Sequence, residues 1–186
     1  VVHLSKKNRM VQDIYSVERL ARANTLCLDK TGTLTDGTRK VDERLLIDGT
    51  YKRDDLVGSY PSAFQENNQT SIALSQRFPL KNTYTSINKL PFSSSRKYSA
   101  VEFKDIGTFI LGAPEYLYKG RDKTRTSYIE KKQQEGYRVV RICKVDGQIR
   151  EDGVKGKISP IAVFTLEDHI REQAPETIKW FTDNGV

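Results

Sequence analysis

The residues whose types and spacing promise chemistry are Asp29-Lys30-Thr31-Gly32-Thr33-Leu34-Thr35. An apolar run, Thr25-Leu26-Cys27-Leu28, leads into them and reads as a short buried strand ending at an acid. Behind the acid comes a small hydroxyl-rich turn, whose backbone N–H and side-chain O–H groups can wrap phosphate oxygens. A carboxylate presented in this way can attack phosphorus and form an aspartyl phosphate. Seven specified residues in a row occur by chance on the order of once in a billion positions at equal residue frequencies, so an ordinary strand-to-turn corner is a poor account of them. Asp29 is the candidate nucleophile, with Lys30 and Thr31 grouped beside it as catalytic. Asp29 and the Thr31 backbone carbonyl are the two Mg²⁺ ligands the segment offers, and Gly32 permits close backbone approach.

A second informative stretch is Pro91-Phe92-Ser93-Ser94-Ser95-Arg96-Lys97-Tyr98-Ser99. An aromatic ring followed by cations and hydroxyls can stack an adenine and meet its phosphates. Taken alone, the same pattern also arises from a strand-edge aromatic beside surface charge. Further on, Leu111-Gly112-Ala113-Pro114-Glu115 lets a ligand approach the backbone, and Asp168-His169-Ile170-Arg171 places an acid and a cation before a terminal helix.

The elements that must position these residues follow from the pattern. Val11, Ile14, Val17, Leu20 and Ala21 share one face of a helix, preceded by Lys6, Lys7 and Arg9. Asp36-Gly37 signals a turn, 40–47 a strand, and 53–64 and 68–77 two helices, the second capped by Asn68-Gln69-Thr70. Residues 98–103 and 108–111 form a hairpin, Pro114 opens a short helix, 123–135 a polar one, and 137–145 another strand. Gly153, Gly156 and Pro160 loosen the chain before an apolar run, 161–166, that leads to a helix at 171–183. With 24–29 and 161–166 standing as isolated apolar strands, the pattern predicts an α/β domain interrupted by an inserted α+β domain, an antiparallel sheet flanked by helices. The expected boundaries are 1–36, 37–158 and 159–186.

Composition narrows the classes. The 186 residues carry 37% hydrophobic and 30% charged side chains, which describes a soluble globular chain on the polar side. No run of about 18 apolar residues occurs, and no signal-peptide pattern opens the sequence. A net charge of +7 invites nucleic acid as partner, yet the basic residues are dispersed among acids such as Asp54-Asp55 and Glu151-Asp152, and no nucleic-acid module is present. Attraction of an anionic nucleotide is the better use of that charge. Cys27 and Cys143 belong to no C-x-x-C pair and read as small buried hydrophobes.

The D-K-T-G-T-L-T segment resembles that of the P-type ATPases, ATP-driven membrane ion pumps phosphorylated on its Asp. The resemblance implies a partial haloacid-dehalogenase-like phosphorylation domain around a nucleotide-binding domain, with ATP and Mg²⁺ as cofactors. It implies that Phe92 stacks adenine, that Lys97 and Arg96 lie near the nucleotide, and that Gly112 and Ala113 line its pocket. Leu111 stands where the family has a Lys, and Ser71 where its main ion pumps have a Glu near the adenine. Asp168 and Arg171 match the returning D-P-P-R segment, with Arg171 reaching the nucleotide phosphates and Asp168 binding ribose or orienting the hinge. The wording of these motifs is most like a bacterial, calcium-type branch. Its partners would then be the membrane domain of the same protein, at the cytoplasmic face of the cell membrane, and a cation bound there.

Two rivals stand beside this reading. A haloacid-dehalogenase-type phosphatase with a cap domain would usually carry a second Asp two residues after the nucleophile, where this chain has Thr31. Thr cannot readily deprotonate water, so an aspartyl phosphate here should be long-lived. The other rival is a non-catalytic nucleotide-binding module. The family's T-G-D and G-D-G-x-N-D motifs do not appear before Val186, so this segment on its own is expected to bind nucleotide weakly without turning ATP over.

Overall fold

The computed structural model describes residue 13 and residues 15–64, 68–117 and 123–186. The chain divides into two compact units, Gly37–His169 on one side and Val1–Asp36 with Ile170–Val186 on the other.

The larger unit is built on apolar alternation. Its sheet is formed from β1 (Thr35–Leu46), β2 (Ser86–Leu90), β3 (Tyr98–Phe103), β4 (Gly107–Gly112), β5 (Arg138–Asp146) and a late strand, Lys157–Ile170. A two-residue pair, β6 (Ile149–Arg150) with β7 (Gly153–Val154), makes that late strand β8. The order across the sheet is β1-β8-β5-β4-β3-β2, with β2 to β3, β3 to β4, β4 to β5 and β5 to β8 all antiparallel. Because successive strand side chains face opposite ways, Val101 and Phe103, Phe109 and Leu111, Val140 and Ile142, and Phe164 and Leu166 all fall on one face. They bury there against α2 (Arg53–Ser62) and α3 (Gln69–Arg77) through Leu56, Val57, Tyr60, Ala73 and Leu74. Intervening residues bury separately. Ala100, Ile110, Cys143 and Val145 gather with Leu117 of α4 (Pro114–Leu117), and Val139 and Val163 gather with Ile129 of α5 (Lys123–Gln134). Helices therefore supply apolar side chains to both sets.

Details follow local chemistry. The Asn68 side chain accepts from the Ser71 N–H at 2.9 Å and caps α3 as the sequence predicts. Hairpin β3–β4 turns through Asp105 and Gly107, both at positive φ. β8 begins at Lys157, earlier than the glycines and Pro160 lead one to expect. Pairing passes from Ile142↔Ala162 to Cys143↔Pro160, so Ile161 is an extra residue in a bulge, and Pro is tolerated beside it. The bulge lets Ile161 and Ala162 join the same core.

Three expectations need correction. Thr25–Leu28 is neither a strand nor buried, with Leu26 and Leu28 at 41% and 39% exposure. An apolar run becomes a buried strand only when a neighbour completes its hydrogen bonds, and among the described residues of its unit none pairs with it. Run 161–166 is not isolated, because it is the middle of β8 and pairs with β5. The Asp36-Gly37 turn signal is absorbed inside β1, where Gly37 takes φ 85° as a kink.

The smaller unit holds α1 (Tyr15–Ala21), a tight turn at Lys30–Leu34 and the terminal α6 (Ala174–Asp183). The helical face expected at Val11 and Ile14 lies outside the described residues, as do the Val17 and Leu20 side chains. Among the described residues no helix is long and apolar enough to cross a membrane.

The two cysteines part company: Cys27 is exposed, whereas Cys143 is buried and burial pushes its thiol up to about 12 from 9.0. Burial raises the Tyr60 phenol as well. The unfolded chain therefore loses these protons first, so folded-state stability is full below pH 9 and declines as pH rises through the alkaline range. A disulfide-exchange reagent at neutral pH should modify one thiol rapidly in the folded chain and two after denaturation. Equal rates for both in the folded chain would contradict the burial of Cys143.

Candidate functional site

In the smaller unit, the Asp29 segment forms an exposed loop. Asp29 is extended (φ −71°, ψ 142°), and the chain folds back through Gly32 at φ 81°, which a side chain would strain. Thr35, 1% exposed, anchors the turn from below: its Oγ1 accepts from the Gly32 N–H at 3.2 Å and donates to the Lys30 carbonyl at 3.4 Å. Arg171 ties the far side. Its backbone N–H donates to the Leu34 carbonyl at 2.9 Å, its Nε to the Thr33 carbonyl at 3.0 Å and its Nη2 to the Gly32 carbonyl at 3.2 Å. The Arg171 side chain thus holds the loop that follows Asp29. Among the described residues no group of three or more His, Cys, Asp or Glu gathers into a metal cluster. Asp29 and the Thr31 carbonyl are hard oxygen donors, the kind Mg²⁺ takes alongside waters and phosphate oxygens, so the donor set fits that ion as a partial site.

In the larger unit, a pocket of about 470 Å³ opens between the sheet and its helices. Phe92, Lys97, Gly112, Ala113 and Ser71, proposed from separate stretches of sequence, all line it. Arg96, Asp168 and Arg171 do not. Phe92 is 44% exposed, leaving ring surface available for stacking. Lys97 sits at φ 61°, an unusual conformation for a residue with a side chain, fixed by hydrogen bonds from its N–H to the Ser93 carbonyl (2.7 Å) and from the Ala113 N–H to its own carbonyl (3.1 Å). Gly112 makes this possible, since a Cβ there would lie 2.3 Å from the Lys97 carbonyl oxygen and 2.6 Å from Tyr98 Cβ. Leu111 is buried, and with Val139 and Val140 gives the lining an apolar part. Ser71 arrives with the capped N-terminal turn of α3.

Sequence reasoning missed Arg39, Glu115, Tyr116 and Arg138, which also line the pocket. Arg138 had one available signal, a cation heading a strand whose next two residues are apolar. Arg39 had none, because its partner Asp168 is 129 positions away. Partial burial and then Arg39 lower the Arg138 guanidinium below its ordinary range, while Asp168 and Glu115 act in the opposite sense.

No family model matches the chain. It is 35% identical over 191 residues to the probable cation-transporting ATPase exp7 of Streptococcus pneumoniae, covering all of this chain and 24% of that protein. It is 29% identical over 189 residues to the calcium-transporting ATPase CtpE of Mycobacterium bovis, again covering the whole chain and 24% of the relative. The chain belongs to the P-type ATPase family. It spans about a quarter of the length of the curated relatives it matches. The fold agrees: a zinc-transporting PIB-type ATPase in its E2.Pi state superposes with a TM-score of 0.54 at 19% identity, over 91% of this chain and 26% of that one. Like other P-type ATPase cytosolic structures, this segment carries an antiparallel sheet flanked by helices.

Gly112→Ala tests the closest approach in the pocket wall. The added methyl meets backbone, which cannot swing aside, so unfolding in urea should show a loss of about 1–3 kcal/mol. An unchanged midpoint would mean that the Lys97 and Gly112 backbones are not in contact.

Proposed function

We propose that this chain is the ATP-binding part of an ATP-driven cation pump, in which the pocket of the larger unit holds the nucleotide and Asp29 accepts its terminal phosphoryl group. The observation that carries the reading is the convergence of Phe92, Lys97, Ser71, Gly112 and Ala113 on one pocket from three separate stretches of sequence. Phe92 stacks the adenine ring, Lys97 meets the anionic part of the nucleotide, and the Gly112–Ala113 backbone gives it room. Arg96, whose Nη2 donates to the Pro91 carbonyl at 2.9 Å, braces the Phe92 loop from outside the pocket.

The smaller unit would be the phosphorylation-domain segment of haloacid-dehalogenase type, leading in through 1–36 and returning through 170–186, with the larger unit as the nucleotide-binding part between them. Asp29 is the nucleophile, and Lys30 and Thr31 complete its loop. Arg171 fixes that loop by its three backbone contacts. Asp29 and the Thr31 carbonyl would hold Mg²⁺, which when bound neutralises phosphate oxygens. The whole pump would transport a cation, of calcium type by its relatives' names, through a membrane domain of the same protein, with this segment at the cytoplasmic face.

Titrating ATP into the isotopically labelled chain should shift the Phe92, Lys97 and Gly112 signals together. Phe92→Ala should weaken ATP by about tenfold, the loss of one stacked base. The segment by itself should show no steady ATP turnover. Shifts confined to other residues, or turnover abolished by Asp29→Asn, would overturn the corresponding half of the proposal.

A further inference from the structure

Arg39 is one of the pocket residues that no recognised motif accounts for. It lies on β1, and its Nε donates to Asp168 Oδ1 of β8 at 2.7 Å, with each side chain keeping only 13% of its exposure. Arg39, Lys97 and Arg138 line the cavity with one acid, Glu115. Gathering guanidinium and ammonium groups in a partly desolvated hollow is unfavourable unless anions offset them. Asp168 supplies one such charge, but it engages Arg39 through Nε. A guanidinium carries five N–H donors in a planar fork, so the Nη edge of Arg39 can take two anionic oxygens side by side. Beside this cationic part, Phe92, Leu111 and Val140 make the lining apolar. A ligand with a flat ring and a polyanionic tail satisfies both.

We propose that Arg39 is a phosphate-recognition residue of this pocket, and that Asp168 is the counter-ion that positions its guanidinium. The claim rests on the adenine-nucleotide reading above and adds the residue that discriminates a phosphorylated ligand from a bare nucleoside. Arg39 is then a specificity determinant, more than a clasp between two strands.

The test compares ATP, adenosine and inorganic tripolyphosphate by calorimetry on the 186-residue chain. Arg39→Gln should weaken ATP by about tenfold, the worth of a charged hydrogen bond, and leave adenosine as it was. Asp168→Asn, which removes the negative charge but leaves an amide oxygen to accept from Arg39 Nε and hold the guanidinium in place, should keep ATP affinity or tighten it. A clasp without a recognition role predicts otherwise: both variants would weaken ATP and adenosine in parallel, and that result overturns the proposal, as does an Arg39→Gln chain that binds ATP normally. Should Arg39→Gln fail to fold by circular dichroism, Arg39→Lys decides, with a loss selective for ATP supporting the assignment and a parallel or absent loss overturning it. If the unaltered chain binds tripolyphosphate but not adenosine, the nucleotide reading fails while Arg39 stands or falls on the tripolyphosphate loss in its variant. Binding of none of the three, ATP included, overturns Arg39 as well.

Discussion

Burial of the central strands from two sides is the constraint on which the larger unit depends. β8 hides six consecutive residues, Ile161–Leu166, and β5 hides five, Val139–Cys143. Such strands are stable only with apolar side chains against both surfaces, here from α2 and α3 on one set and from α4 and α5 on the other. Fully burying a Leu, Ile or Phe contributes roughly 1.5–3 kcal/mol, so these four helices are held by the sheet more firmly than by their own propensity. That matters for α3 and α4, whose first turns and flanking residues line the pocket. The cavity forms where the first turns of these two helices, packed on alternate sets of strand side chains, approach the sheet.

Within that frame, one close backbone approach shapes the pocket wall. Gly112 gives up its side chain so that the Lys97 carbonyl can sit against it, and Lys97 accepts a left-handed backbone in return. The cost of such a conformation is of order 1–3 kcal/mol, met by the hydrogen bonds from Lys97 to Ser93 and from Ala113 to Lys97. Strain of this kind fixes the lysine before any ligand arrives.

How much of this was legible in the sequence depended on distance along the chain. The α3 cap and the β3–β4 hairpin were visible because each is written in a local motif, and the resemblance singled out Phe92, Lys97, Ser71, Gly112 and Ala113, which line one pocket. Thr25–Leu28 misled, since a short apolar run predicts burial only if a neighbour exists to cover it. Pro160 also misled, because a bulge at Ile161 hides the usual penalty of Pro in a strand. Arg39 could not have been read at all: its meaning lies in Asp168 and Arg138, which the fold alone brings near.

The Arg39–Asp168 pair also says something about where the larger unit begins and ends. That unit starts at Gly37 and stops at His169, on β1 and β8, which are neighbours in the sheet. A hydrogen bond of 2.7 Å joins side chains only two residues and one residue from those limits. A folded body whose two ends emerge side by side can be spliced into a surface turn of another protein without prying that turn open. The larger unit has the adjacent ends that such splicing requires, and the ion pair fastens those ends together.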